Sequence, residues 1–250
     1  MAMELYAKGG HACVMFSDLV TGEAVQANQF LIVDNGHAAL LDPGGELTYT
    51  RLFMAVSDYT SVKGLDYVIA SHQDPDIVAS LNRWLVGTDC RAVVPELWER
   101  FIPHFTSRDR TRGRLVTIPD RGMDLRLGNI RIKALPAHFL HAEGNFQFYD
   151  PQSKILFSGD LGASIGPDYV EVSDFDAHVP YMEGFHRRYM PSGHANRAWA
   201  AMARGLDIEM IVPQHGAIFP TAELSRRFID WVAELPGAGE VMQSVYRIPT

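Results

Sequence analysis

Ser71-His72-Gln73-Asp74-Pro75-Asp76-Ile77 is the stretch of sequence that decides the fold, because it places an imidazole and two carboxylates directly after the apolar run of residues 65–70. In an extended turn, residues i and i+2 point the same way, so His72 and Asp74 can bind one ion. Pro75 keeps Asp74 out of the helical region. Asp76 suits the start of a helix and can turn toward a second ion. The stretch alone fits equally well a polar turn that caps a helix.

Two later residues follow apolar runs in the same way. Asp160 comes directly after residues 155–159, and a half-buried carboxylate there needs a partner. Its two oxygens could bridge two metal ions. His215 follows residues 210–213 closely. For Asp160 the alternative role is to cap a turn, and for His215 it is a hydrogen bond to a backbone carbonyl. Together with the first stretch, the two residues predict a site for two metal ions.

A further ligand is expected in the segment Ala137-His138-Phe139-Leu140-His141, which offers two histidines. Spacing alone does not choose between His138 and His141. One of them can bind metal while the other makes a hydrogen bond to a ligand. Zinc tolerates a set of three imidazoles and three carboxylates. An oxygen-rich set of nitrogen and oxygen ligands with an open position also suits iron or manganese.

The bulk composition is that of a soluble globular protein, and it excludes some functions. The net charge of −8 disfavours nucleic acid as the main partner, because phosphate binding needs a basic face. Cys13 and Cys90 show no metal-binding or redox spacing and are expected to be reduced thiols. No signal segment or membrane span is visible, so a cytoplasmic protein is expected. Five histidines without ligand spacing are expected on the surface or in the core: His11, His37, His104, His178 and His194.

The order of the predicted elements indicates the fold class. The first 45 residues are β-rich, with a hairpin turn at Asp34-Asn35-Gly36. Helices and strands then alternate, including a helix over residues 76–86. A second β-rich half covers residues 115–158. Helices follow near residues 175–188 and 195–205, and Thr221 caps a closing helix. The pattern predicts an α/β (α+β) protein, a four-layer αββα sandwich that forms a single domain over residues 1–250.

The motifs carry a resemblance. His-x-Asp-x-Asp at residues 72–76, then Leu-His, Ser-x-Asp and Gln-His-Gly resemble the metallo-β-lactamase fold, and within it the diiron domain of flavodiiron proteins, over roughly residues 28–235. Asp74 stands where hydrolytic members have a histidine, which favours iron over zinc. That family has eighteen residues between the middle histidine and the bridging aspartate, a spacing that His141 matches. The resemblance implies His72, Asp74 and His141 on one metal, Asp76 and His215 on the other, and Asp160 as the bridge.

Two departures from the flavodiiron pattern are visible. Ile77 stands where the family usually has a histidine, so the second metal is expected to keep an open face. The chain reaches Thr250 without a phosphate loop for FMN, so neither a flavodoxin domain nor a bound flavin is expected in it. The chain is therefore most similar to stand-alone relatives called oxygen-binding diiron proteins (ODP). Two further phrases fit that group, Glu143-Gly144-Asn145-Phe146 and residues 181–190.

The resemblance implies a non-haem protein with two iron ions, joined by an oxo or hydroxo bridge, that binds O2 or NO. Zinc and manganese are the alternative metals. The protein would be a sensor or carrier, or an O2 or NO reductase with an external electron donor such as a rubredoxin, a flavodoxin or a reductase. The alternative is a dinuclear hydrolase of esters, thioesters or phosphodiesters. A signalling partner and a homodimer are further expectations.

No catalytic residue is expected beyond the metal ligands. Five side chains are candidates for the pocket around the metals, with ordinary helix packing as the alternative for the last three: His138, Ile77, Tyr181, His186 and Tyr189.

Overall fold

The computed structural model describes residues 1–249, apart from the side chain of Arg108. The chain divides into two compact units. Unit 1 comprises Met1–Pro136 and Phe148–Ser153, and unit 2 comprises Ala137–Gln147 and Lys154–Thr250. Strand β10 (Phe146–Asp150) therefore contributes residues to both units. Thr250, the last residue of the predicted domain, lies outside the described residues.

Unit 1 is built on a seven-stranded sheet whose strands follow one another in chain order. Pairs from the first strand to the fourth are antiparallel, and pairs from the fourth to the seventh are parallel. The strands are β1 (Ala2–Lys8), β2 (His11–Phe16), β3 (Gln29–Asp34), β4 (His37–Leu41), β5 (Tyr67–Ile69), β6 (Arg91–Pro95) and β7 (Leu115–Ile118). Strands β8 (Met123–Leu127) and β9 (Ile130–Pro136) form an antiparallel hairpin.

The predicted hairpin turn between β3 and β4 is confirmed. Asp34 pairs with His37, so the loop holds only two residues. Asn35 and Gly36 both have positive φ, at 50° and 87°, as a tight hairpin of this hand requires. The turn fixes the register of β4 and so the position at which β4 ends, next to the ligand motif after β5.

Unit 1 has four short α-helices within the described residues, and the first three contribute apolar side chains to its core. They are α1 (Tyr49–Ser57), α2 (Pro75–Val78), α3 (Leu81–Gly87) and α4 (Arg108–Thr111), with 3-10 helices at Val62–Gly64 and Glu96–His104. The prediction of a single helix over residues 76–86 is wrong, because the structure has two helices there that are separated at Ser80. The amide and hydroxyl of Ser80 donate to the carbonyls of Gly44 and Pro43, which lie outside the helix.

Unit 2 combines a parallel strand pair with a group of helices. Strands β11 (Ile155–Gly159) and β12 (Met210–Pro213) pair in parallel. The helices are α5 (Phe175–Tyr189), α6 (Gly193–Ala203), α7 (Ala222–Glu234) and α8 (Ala238–Val241), with a 3-10 helix at Gln243–Val245. Thr221 accepts a hydrogen bond from the amide of Leu224 and so caps α7, as predicted. None of the helices within residues 1–249 has the length and hydropathy of a membrane span.

Candidate metal centre

In unit 1, the ligand motif begins directly after β5 and is held by the end of β4. The carboxylate of Asp42 accepts a hydrogen bond from the amide of Ser71 at 2.8 Å. The hydroxyl of Ser71 lies 2.9 Å from Nδ1 of His72. Both His72 and Asp42 are buried, with exposed fractions of 2% and 4%. The two contacts fix the backbone and the ring of His72, so that Nε2 is the nitrogen available to a metal.

The carboxylates of the motif follow at the start of α2. Asp74 has an extended conformation (φ −63°, ψ 144°), as predicted from the proline that follows it. One of its oxygens lies 3.8 Å from Nε2 of His72. Asp76 is in the first turn of α2, where free backbone N–H groups favour a negative charge. Ile77 is fully buried in the apolar core of the unit, so it does not supply a polar group to the site.

A small apolar cavity lies beside His72, still within unit 1. It has room for about one water-sized molecule. Aromatic and aliphatic side chains make up most of its wall. Residues that line it include Ala70, His72, Val94, Trp98, Ile102 and Phe105.

In unit 2, two predicted histidine ligands come together around the carboxylate of a third predicted ligand, Asp160. Nε2 of His141 lies 2.9 Å from Oδ2 of Asp160, and Nε2 of His215 lies 3.4 Å from Oδ1 of the same residue. Asp160 is only 4% exposed. A buried carboxylate is costly unless paired. Here each of its oxygens faces a different imidazole, which is the arrangement that a bridging carboxylate needs.

Asp160 directly follows β11 and is positioned by hydrogen bonds at the ends of the neighbouring strands. The hydroxyl of Ser158 donates to the carbonyl of Leu161, which closes the turn around Asp160. The side-chain amide of Gln147 donates to the carbonyl of Ser158. The amide of Gln214 donates to the carbonyl of Gly159 and joins the ends of β11 and β12. The parallel pairing of β11 and β12 thus brings Asp160 and His215 to the same end of this strand pair.

Ser164 connects the two loops that carry Asp160 and His215, a role that the sequence did not reveal. Its amide donates to the carbonyl of His215, and its hydroxyl accepts from the amide of Ala217. Gly216 has φ +80°, and a β-carbon there would lie 2.1 Å from Oγ of Ser164. Only glycine fits this close approach. The Gln-His-Gly motif was the available signal, but it did not indicate which residue the glycine faces.

His186 holds the loop after Asp160 and is fixed in one tautomer. Its Nδ1 donates to the carbonyl of Met182, and its Nε2 accepts from the amide of Gly162 at 3.0 Å. Burial lowers the pKa of His186 to about 4, so the ring is neutral at physiological pH. His186 therefore acts on the position of Asp160 through the backbone.

Tyr189 and Phe185 form an aromatic wall beside His141. The Tyr189 ring lies 5.7 Å from the His141 ring, edge-on, and stacks on Phe185 with centroids 4.6 Å apart. Tyr181 is not part of this wall. Its ring contacts those of Tyr169 and His178. Of the three aromatic pocket candidates on α5, the structure thus brings Tyr189 against a predicted ligand, His186 behind the Asp160 loop, and Tyr181 elsewhere.

The loop that carries both middle histidines is folded around Asn145. The backbone carbonyl of Asn145 accepts from the amide of Ala137, and its side-chain amide donates to the carbonyl of Leu140. His138 packs edge-on against Phe146 with ring centroids 5.2 Å apart. His141 is the histidine of this loop that reaches Asp160.

The donor atoms of the predicted ligands are imidazole nitrogens and carboxylate oxygens. Such a set fits iron, zinc or manganese and offers no sulfur ligand. A buried carboxylate flanked by two imidazoles is suited to hold divalent ions. The residues present therefore fit a metal centre.

Comparison with known proteins identifies the group to which this chain is similar. The model of the family described as "ODP family beta lactamase" matches residues 25–216. A structure of the peroxy diiron species of chemotaxis sensor ODP is 38% identical, with a TM-score of 0.88, over 98% of this chain and 99% of that one. The apo state of chemotaxis sensor ODP from T. denticola is 37% identical over the same shares, again with a TM-score of 0.88.

More distant similarities extend the comparison. A flavo di-iron protein mutant from Thermotoga maritima is 20% identical, with a TM-score of 0.73, over 89% of this chain and 57% of that one, which shows the fold alone. An uncharacterized protein of Methanocaldococcus jannaschii is 24% identical over 82% of this chain and 52% of its own length. The chain spans about half or less of the curated relatives that it matches.

These matches confirm the predicted α/β class and the metallo-β-lactamase-like fold of the flavodiiron core. The family model covers most of the chain, including all six predicted metal ligands. The chain belongs to the ODP family.

Proposed function

We propose that this chain is a non-haem diiron protein that binds O2. The observation that carries the proposal is the buried carboxylate of Asp160, whose two oxygens face His141 and His215 at 2.9 and 3.4 Å. The family and the 38% identity to a diiron chemotaxis sensor support iron as the metal.

The proposed ligands are those predicted from the sequence. His72, Asp74 and His141 would hold one iron, Asp76 and His215 the other, and Asp160 would join them. The contacts of Ser71 with His72, and of Ser164 with the His215 loop, support this assignment, because ligands are held in orientation by neighbouring hydrogen bonds. The assignment implies that residues 1–250 act as one metallo-β-lactamase-like domain.

Two ferrous ions, when bound, would supply two electrons to O2. The chain's own contribution is to exclude water and leave room for a diatomic ligand. The cavity beside His72 has an aromatic and aliphatic wall, Ile77 is apolar, and the stacked rings of Tyr189 and Phe185 shield His141. An apolar cavity favours a neutral gas over water.

The role we favour is that of an O2 sensor or carrier in the cytoplasm. Reduction of O2 to water takes four electrons, so a reductase activity, on O2 or NO, would require an external donor such as a rubredoxin. Two solved structures to which this chain is similar are those of a chemotaxis sensor, which supports the sensor role.

The test starts from protein purified without added metal. Elemental mass spectrometry should find about two irons per chain, the stoichiometry of a dinuclear carboxylate-bridged site. Anaerobic, reduced protein should then change its visible absorption when O2 is added. The control variant His194→Ala, which alters a histidine outside the proposed ligand set, should show the same change in absorption. Zinc in place of iron, even from iron-supplemented cells, would contradict the proposal and favour a hydrolase.

A further inference from the structure

Unit 1 contains a second cluster of metal-binding side chains, which shares no residue with the proposed diiron ligands. His11, Cys13 and Asp150 are all buried, with exposed fractions of 1%, 0% and 0%. Their donor atoms lie within 4.8 Å of one another. We propose that His11, Cys13 and Asp150 form a buried three-ligand site for one divalent ion of the zinc type. This inference does not depend on the proposed O2 function.

The distances between the donor atoms are close to those on a single zinc ion. Donors on tetrahedral zinc lie about 3.3–3.6 Å apart, given bond lengths of about 2.0–2.3 Å. Sγ of Cys13 lies 3.5 Å from Oδ2 of Asp150 and 3.8 Å from Nε2 of His11. The Nε2–Oδ2 distance is 2.7 Å. The Sγ–Oδ2 edge thus matches, the Sγ–Nε2 edge is slightly longer than this range, and the Nε2–Oδ2 edge has to lengthen when the ion enters.

The imidazole of His11 is oriented as a metal ligand usually is. Its second nitrogen, Nδ1, lies 3.3 Å from the carboxylate of Asp34. The amide of Asn129 donates to the other oxygen of Asp34 at 2.7 Å, which holds that carboxylate in place. A carboxylate on the far side of a ligating histidine fixes the ring and raises its basicity. Asp34 is therefore a positioning residue.

Asp150 is held toward the same point from the turn that follows β10. The amides of Gln152 and Ser153 donate to its two oxygens, and the hydroxyl of Ser153 donates to Oδ2. Oγ of Ser153 lies 3.6 Å from Sγ of Cys13. Three polar groups thus lie within 3.8 Å of the sulfur, an unusual setting for a cysteine that only fills space.

The uptake of an ion balances in charge and protons. Each ring nitrogen of His11 faces a carboxylate, Nδ1 that of Asp34 and Nε2 that of Asp150, so the protein without the ion keeps a proton on both nitrogens. The sulfur of Cys13 lies against the carboxylate of Asp150 and donates to it as a thiol. An entering divalent ion displaces the proton on Nε2 of His11 and the proton of the thiol. Two positive charges enter and two leave, so the net charge of the buried cluster does not change.

A bound ion would join β2 to the end of β10 inside unit 1. Because none of the three ligands reaches the surface, the ion would enter as the unit folds. Loading therefore has to be tested on protein that has folded with the metal present.

The experiment uses the full chain, produced in minimal medium with Co²⁺ as the probe metal. A thiolate on Co²⁺ gives an intense near-ultraviolet charge-transfer band, which imidazole and carboxylate ligands do not give. The wild type should show this band and one more cobalt per chain than Cys13→Ser. Cys90→Ser alters the other buried thiol and should keep the band. Cobalt bound only at the diiron ligands would change visible absorption without this band, which separates the two proposals.

Three results would overturn the inference: no charge-transfer band in the wild type, a band that survives in Cys13→Ser, or a band lost in Cys90→Ser alone. If Cys13→Ser does not fold, Asp34→Asn gives a second test. It keeps all three ligands but weakens the hold on His11, so it should retain the band and lose cobalt to a chelator about 10–100-fold more readily.

Discussion

Nε2 of His141 lies 2.9 Å from Oδ2 of Asp160, so the imidazole and the carboxylate share either one proton or one cation. The other oxygen of Asp160 faces His215. His138, three residues earlier in the same loop, packs against Phe146 instead. The two histidines are thus distinguished by their contacts.

The first prediction compares His141→Ala with His138→Ala. Loss of a ligand at residue 141 should remove iron and abolish O2 binding. Loss of a neighbouring ring at residue 138 should lower metal affinity by at most about 10–100-fold. Iron per chain and O2-dependent absorption measure both. Equal losses in the two variants would contradict the assignment of His141.

The second prediction concerns two glycines of unit 2 with similar backbone angles. Gly216 and Gly166 have φ of +80° and +85°, but only Gly216 faces another residue, Ser164. Gly166→Ala should lower the free energy of unfolding by about 1–2 kcal/mol, because of backbone strain. Gly216→Ala should cost about 1–3 kcal/mol more from overpacking and should loosen the His215 loop.

Denaturant unfolding measures both glycine variants, and the iron content reports on the loop. If Gly216→Ala is no less stable than Gly166→Ala and keeps its iron, the close approach to Ser164 does not position His215.

The third prediction is a pH dependence of stability that arises from His11, in metal-free protein with a chelator present. The pKa of His11 is raised, so its stabilisation is complete below the ordinary value of 6.5 and is lost as the pH rises through the folded pKa. The pKa of Asp150 is lowered: burial opposes its charge, but the hydrogen bonds from His11 and Ser153 outweigh it. The contribution of Asp150 to stability is therefore lost only at acidic pH.

His11→Gln should therefore destabilise the protein by about 3–5 kcal/mol at pH 6, the cost of breaking a buried pair, and by less at pH 9. His37→Gln breaks an exposed pair with Asp66, at 3.1 Å, and should change stability by at most about 1 kcal/mol. Unfolding midpoints of both variants, measured at the two pH values, test this prediction. A cost for His11→Gln that is the same at both would contradict the role of the imidazolium.

The fourth prediction tests the cavity beside His72. Val94 lines it, whereas Val93 is equally buried and points to the opposite face of β6. Phenylalanine at either position should cost about 1–3 kcal/mol of stability from overpacking. Only Val94→Phe should slow O2 association, on the order of tenfold, or about 1.4 kcal/mol of barrier. Stopped-flow mixing of reduced protein with O2 measures the rate. Equal slowing in both variants would assign the effect to stability.

The sequence predicted those features whose signal is local. The ligand motif, Asp160 and His215 each follow an apolar strand, and the Asn35-Gly36 turn has its own chemistry. Strand β1 was not predicted as a strand of its own, because all seven of its residues are exposed or half-buried and show no apolar run. The helix over residues 76–86 was predicted from its apolar period, but Ser80 binds carbonyls some 37 residues earlier and splits it.

The residues that support the site could not be predicted for the same reason. Asp42 acts on Ser71 across 29 residues, and Ser164 acts on Ala217 across 53. Their partners are set by the pairing of strands, which local patterns do not reveal. Cys13 and Cys90 are free and buried, as expected for reduced thiols. His11 was expected to be an ordinary core or surface residue, and its two carboxylate partners lie 23 and 139 positions away.

Four consecutive backbone amides after Asp160 donate to four different residues. Gly162 donates to His186, Ala163 to Asp160, Ser164 to His215, and Ile165 to Tyr181. Each proton can exchange with heavy water only when its own hydrogen bond opens. Hydrogen–deuterium exchange over these four positions would therefore report separately on a turn, a ligand loop and two points of α5, without any optical signal from a metal.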